Sequence, residues 1–175
     1  MKKTFLTNLA LLVFLNLLVK PFWIFGIDRT VQNTVGAHEY GLYAAMFSLS
    51  IMLNIILDLG ITNFNNRNIA QHSQLLRKYF SNIVILKCLL GVVYAIIAII
   101  VGALLNFTLE RYYLFIFLIF NQFLLSFILY LRSNISGLHK YKTDSLVSVI
   151  DRVLMIILCG IVLITKQHEF KIQWF

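Results

Sequence analysis

Five charged side chains stand inside stretches that are otherwise apolar: Lys20, Asp58, Lys87, Asp151 and Arg152. A charge near the centre of a bilayer costs about 2.5–3.5 kcal/mol on insertion scales. Each therefore needs a partner, a wet cavity or a route to the surface. Ser50, Asn54, Asp58 and Thr62 recur every four residues and make a slowly drifting polar stripe on one helix face. Such a stripe faces other helices or a water-filled cavity, not lipid.

Depth joins two of these charges. Asp58 lies about eight residues from the inner end of its apolar run, roughly 12 Å at the helical rise, and Lys87 about seven residues into the next, roughly 10 Å. Similar depth on consecutive helices predicts an Asp58–Lys87 ion pair. Two roles stay open for it: a tether between two helices, or a contact that breaks and reforms during function. Asp151 and Arg152 are neighbours, so they project about 100° apart and cannot share one target. One reading sends Arg152 to the inner surface by snorkelling; the other turns it to a cavity.

Lys20 precedes Pro21, the single proline. It either snorkels outward past Phe22, Trp23 and Phe25, or lines a cavity where Pro21 bends the helix and frees a carbonyl. Asn8, Asn16 and Lys20 fall in one helical sector, a setting that suits an anionic ligand such as a phosphate. Asn121 and Gln122 read as interhelical hydrogen-bonding groups. Gly91, Ala95, Ala98 and Gly102 read as a stripe for close helix packing. Asn106-Phe107-Thr108 matches a glycosylation sequon and is read as chance.

Other chemistry has no footing. There is no phosphate-binding glycine loop, no HExxH and no carboxylate cluster on a loop. His38, His72, His139 and His168 are scattered among connections, and Cys88 and Cys159 offer neither a disulfide framework nor metal spacing. No enzyme, cofactor or metal is expected.

The elements that must position these residues follow from composition. Of 175 residues, 60% are hydrophobic, and the mean hydropathy is +0.85. A soluble domain uses roughly 45–50%. Five apolar runs are long enough to span: Phe5 to Ile27, Gly41 to Phe64, Phe80 to Leu105, Tyr112 to Leu131 and Leu146 to Ile164. The fold class is all-α, a polytopic bundle of about five transmembrane spans forming one domain over 1–175, with no soluble domain. The alternation of a barrel is missing. The first run begins like a signal peptide, but no small-residue cleavage site follows, so it reads as a retained helix.

The net charge of +8 is a matter of topology, not of nucleic acid. Lys2, Lys3, Arg67, Arg77, Lys78, Arg132, Lys140 and Lys142 share one side; Arg29, Arg111, Lys166 and Lys171 share the other. The excess places the N-terminus in the cytoplasm. The closing QHEFKIQWF reads as the approach to a sixth span, so a longer native chain is expected.

Three motifs carry a resemblance: Val35-Gly36 followed by Glu39-Tyr40-Gly41-Leu42-Tyr43, then Asp58-Leu59-Gly60-Ile61, then Arg132, Ile135 and Gly137-Leu138-His139-Lys140-Tyr141-Lys142 leading to Ser148 and Asp151-Arg152. In this order they resemble the first part of bacterial polysaccharide-biosynthesis flippases. These are oligosaccharide exporters of the multidrug/oligosaccharidyl-lipid/polysaccharide superfamily. The resemblance implies two six-helix lobes around a central cavity, of which this chain resembles most of the N-terminal one. A C-terminal lobe or a partner chain is then required. It also implies movement of a lipid-pyrophosphate-linked oligosaccharide across the bacterial inner membrane, in polysaccharide or O-antigen biosynthesis, by alternating access. On this view Lys20, Arg29, Asn54 and Arg152 are substrate-cavity candidates. Asp58, Lys87 and Asp151 are intramembrane ion-pair candidates, and Asp28 pairs with Arg29 or with lipid headgroups. The alternatives are a drug/cation antiporter of the same superfamily, which the cationic spans oppose, a membrane-embedded glycosyltransferase or polymerase, and a small helical scaffold.

Overall fold

The computed structural model describes Leu17, Pro21 and residues 23–165 of the chain. The expected first span, with Asn8, Asn16 and Lys20, lies almost wholly outside the described residues. Every regular element among the described residues is helical. A π-helical turn, Trp23–Asp28, runs into α1 (Arg29–Val35), followed by α2 (Ala37–Leu53), α3 (Ile55–Asp58), α4 (Ile61–Gln71), α5 (Leu75–Leu104), α6 (Leu109–Gly137) and α7 (Tyr141–Thr165). Among the described residues, three stretches are long and apolar enough to cross a membrane: Ala37–Asp58, Leu76–Leu104 and Leu109–Gly137. The expected fifth span falls within α7.

The chain divides into two compact units, residues 43–140 and the segments on either side of them. In the flanking unit, Ile27 and Val31 are buried and pack with Val35, Tyr40, Ile156 and Cys159. The Tyr40 hydroxyl donates to Asp28 Oδ1 at 2.7 Å. That contact ties the residue before α1 to the first turns of α2. Gly36, between the two helices, has φ +93°, a conformation that L side chains rarely adopt.

In the central unit, α5 and α6 form an antiparallel hairpin. Their 30 and 29 residues correspond to about 45 Å each at the helical rise. The small-residue stripe of α5 lies against α6. A Cβ on Gly91 would fall 2.5 Å from the Phe123 ring, and one on Gly102 would stand 3.4 Å from Phe107 and Phe115. Ala98 is fully buried. In lipid, where hydrophobic burial does little to join helices, such close approach supplies the packing.

The run read as one helix over Gly41–Phe64 is interrupted. α3 ends at Asp58, and Leu59 and Gly60 follow with φ of +44° and +81° before α4 begins at Ile61. The physical reason is local: glycine adopts the left-handed region without a Cβ penalty, and residues in that conformation end a helix. The four-residue periodicity of Ser50, Asn54, Asp58 and Thr62 thus crosses a break. Nevertheless, α3 and α4 both run alongside α6 in the same direction. Side-chain bonds link the two at an offset of 68 or 69 positions on both sides of the break.

Candidate functional site

The break in the second span leaves backbone groups without helical partners. The neighbouring helices supply them. Lys87, on α5, is 2% exposed. Its Nζ donates to Asp58 Oδ1 at 2.5 Å, to Ser126 Oγ at 3.0 Å, to Leu57 O at 3.1 Å and, most weakly, to Thr62 Oγ1 at 3.4 Å. The Ser126 hydroxyl, on α6, also donates to Leu57 O at 3.4 Å. The hydroxyl of Thr62 donates to Asp58 Oδ1, and the Thr62 backbone N–H reaches the same oxygen at 3.3 Å.

This arrangement answers the dipoles of the two half-helices. The α3 end presents a carbonyl and partial negative charge, and the Lys87 ammonium sits on it. The α4 start presents N–H groups and partial positive charge, and the Asp58 carboxylate accepts one of them. The two charges also neutralise one another. Each side chain therefore does two jobs, and these contacts offset the desolvation cost of the buried Lys87 ammonium, while Asp58 is half-buried.

Neutral contacts flank this node on both sides. On one side Asn54 Nδ2 donates to Gln122 Oε1 at 3.1 Å, and the Tyr94 hydroxyl donates to Ser50 O at 3.2 Å. On the other, Asn65 Nδ2 donates to Asn134 Oδ1 at 2.8 Å and to Ser133 Oγ at 3.2 Å. Both acceptors in turn donate to Tyr130 O. Among the described residues, no buried side-chain nitrogen or oxygen lacks a hydrogen-bond partner. Beyond Asn65, Gly137 brings the helices close: a Cβ there would fall 2.9 Å from Ile69 Cβ and 3.1 Å from Asn66 O.

The remaining candidates are spread out. Arg29 is exposed at the start of α1. Asp28 accepts from Tyr40 rather than from Arg29, contrary to the pairing expected from adjacency: a hydroxyl one helix away is better aimed than a side chain on the next residue. Asp151 is exposed on α7 and forms no ion pair among the described residues. The side chain of Arg152, and Lys20 entirely, lie outside the described residues. Asn121 is exposed, so the packing role expected of both amides falls to Gln122 alone; neighbouring positions on a helix face different ways.

Sequence reasoning passed over Ser126, Ser133, Asn134 and Asn65. The signal was available. Gln122, Ser126, Tyr130, Ser133, Asn134 and Gly137 recur at three- and four-residue steps along α6, and all are buried. Among the described residues no group of His, Cys, Asp and Glu is arranged to hold a metal ion.

Comparison with known proteins gives one family. The model for a polysaccharide biosynthesis protein matches residues 5–170. No curated protein and no solved structure matches the chain.

Proposed function

The chain belongs to the polysaccharide biosynthesis protein family, and on that premise we propose that it is part of a flippase for a lipid-pyrophosphate-linked oligosaccharide. The substrate crosses the bacterial inner membrane, and the N-terminus lies in the cytoplasm. Lys20, Arg29 and Arg152 provide cationic contacts for the pyrophosphate. Asn54 joins the broken span to α6 through Gln122. A second lobe or a partner chain completes the pathway, as alternating access rocks one bundle against another.

The observation that carries this reading is the family match across residues 5–170. The interrupted span supports it. Transporters commonly build their working region from discontinuous helices whose ends interact with ions or polar groups at mid-membrane. Non-helical backbone persists there only where protein or a wet cavity satisfies it. The Lys87–Asp58 pair joins the two half-helices to α5 and α6, so a rocking motion of this bundle carries them as one body or breaks this contact.

The test is translocation in sealed vesicles. Purified full-length protein is reconstituted with a labelled lipid-pyrophosphate oligosaccharide in the outer leaflet, and loss of access to an added glycosidase is followed. Protein-dependent protection is expected, with a slower rate in Arg29→Ala. Absence of protection, with a lipophilic cation moved instead, would replace the reading with the antiporter. A covalent change in the glycan would replace it with a transferase.

A further inference from the structure

Four oxygens from three helices converge on one point in the central unit: Leu57 O, Asp58 Oδ1, Thr62 Oγ1 and Ser126 Oγ, at 3.1, 2.5, 3.4 and 3.0 Å from Lys87 Nζ. One is a backbone carbonyl at the end of a half-helix, one is a carboxylate and two are hydroxyls. Both hydroxyls donate their own protons elsewhere, Thr62 to Asp58 and Ser126 to Leu57 O. Their lone pairs are therefore left facing Nζ. An ammonium has three N–H groups on this side chain, yet four acceptors surround it. The set outnumbers what hydrogen bonding by lysine requires.

We propose that these four oxygens are a monovalent-cation site, of the size that accepts ammonium or potassium, in which the Lys87 ammonium is the resident ion. The donor set has the make-up of an ion site rather than of a simple tether. Unwound carbonyls and half-helix C-terminal ends coordinate cations in membrane transporters, and carbonyl rings replace the hydration shell of an ion. The formal charge of the oxygens is −1, from Asp58, and one monovalent cation neutralises it. Three of the four oxygens lie in the turns that border the break, two before it and one after. The occupant therefore holds the half-helices together across Leu59 and Gly60. Lys87 approaches from α5 as a tethered ion, and while it is in place the site is closed to ions from solution. The node would hold its cation whatever the chain transports.

The prediction is chemical rescue. Lys87→Ala removes the tethered ion and leaves room for a free one. Thermal unfolding of the full-length protein in detergent is measured in ammonium chloride, potassium chloride and choline chloride at equal ionic strength. The midpoint of Lys87→Ala should rise in ammonium or potassium relative to choline, by on the order of 5 °C at saturation. The wild type, whose site is filled, should show no such difference. The double variant Lys87→Ala/Asp58→Asn, which lacks the carboxylate, should show none either. A Lys87→Ala protein that folds only in ammonium or potassium would be the strongest support. An equal response of Lys87→Ala to ammonium, potassium and choline overturns the proposal, as does a wild-type response of the same size. A Lys87→Ala protein that folds in none of the three salts overturns it too, because a saturating free cation should restore the node.

Discussion

Of the polar contacts that join the broken span to α6, the Asn65 node and the Lys87 node solve different problems. The Asn65 node lies within a continuous helix, α4, and consists of neutral groups shared by two helices. The Lys87 node lies at the break between α3 and α4, carries a full positive and a full negative charge, and draws in a third helix, α5. Intact helices satisfy their own backbone, so neutral side chains are enough to align them. A break exposes a carbonyl and several N–H groups, whose partial charges of opposite sign lie close together. Formal charges of the matching sign suit that situation, and the pair then neutralises itself. At the left-handed break the contacts are charged; along α4 they are amides and hydroxyls.

The sharpest way to break the comparison is to unbalance the charged node. Lys87→Met keeps an unbranched apolar stem, one atom shorter, and removes the ammonium, leaving Asp58 without its cation and Leu57 O with only the longer bond from Ser126. Removing one partner of a fully buried pair costs about 3–5 kcal/mol; the Asp58 side chain is 33% exposed, so the low end, about 3 kcal/mol, is expected. The loss should be read as unfolding free energy in micelles or bicelles. Lys87→Met/Asp58→Asn should recover most of it, since replacing both ions of a buried pair is often close to neutral. If the double variant is as unstable as the single one, the charges answer to the half-helix ends more than to each other.

The parts of this arrangement that the sequence disclosed are the costly ones. Lys87 and Asp58 were visible because a charge in an apolar run has no inexpensive explanation. The helices α5 and α6 were visible because each is a long apolar run, although their ends extend past the apolar core into polar residues such as Arg77, Lys78, Ser133 and Asn134. The break at Leu59–Gly60 was not visible. A glycine in an apolar run is as compatible with helix packing as with a left-handed turn, and Gly91 and Gly102 illustrate the former. The seam on α6 was missed for the opposite reason to Lys87. Ser126, Ser133 and Asn134 are inexpensive in a helix and draw little notice singly, so only their shared face betrays them.

The glycines of the two nodes sharpen the contrast. Gly137 is helical and crowded, and its added Cβ meets Ile69 and a backbone oxygen. Gly137→Ala should therefore cost about 1–3 kcal/mol through overpacking, since the carbonyl cannot turn aside as a flexible side chain can. Gly60 is the reverse: its Cβ would meet nothing within 4 Å, but its φ is +81°. Gly60→Ala should cost about 1–2 kcal/mol from backbone strain alone, and Gly60→Asn less, because asparagine tolerates the left-handed region better. Unfolding measurements on the three variants separate the cases. An equal cost for Ala and Asn at position 60 would point to crowding there instead.

The smallest expected effect belongs to the neutral node. Asn65→Ala removes both bonds to α6, yet Ser133 and Asn134 keep their own donations to Tyr130 O. Ser133 Oγ keeps a bond of its own, whereas Asn134 Oδ1 loses the donor that Asn65 supplies. Interhelical hydrogen bonds in membranes average about 0.6 kcal/mol, so the expected loss is about 1 kcal/mol, a fraction of that for Lys87→Met. The same variant should leave any ammonium response of Lys87→Ala unchanged, because the two nodes touch different parts of α6. A loss as large as that of Lys87→Met would mean that the neutral contact, and not the charged one, fixes the register of α4 on α6. The charge at Lys87 would then serve the break alone.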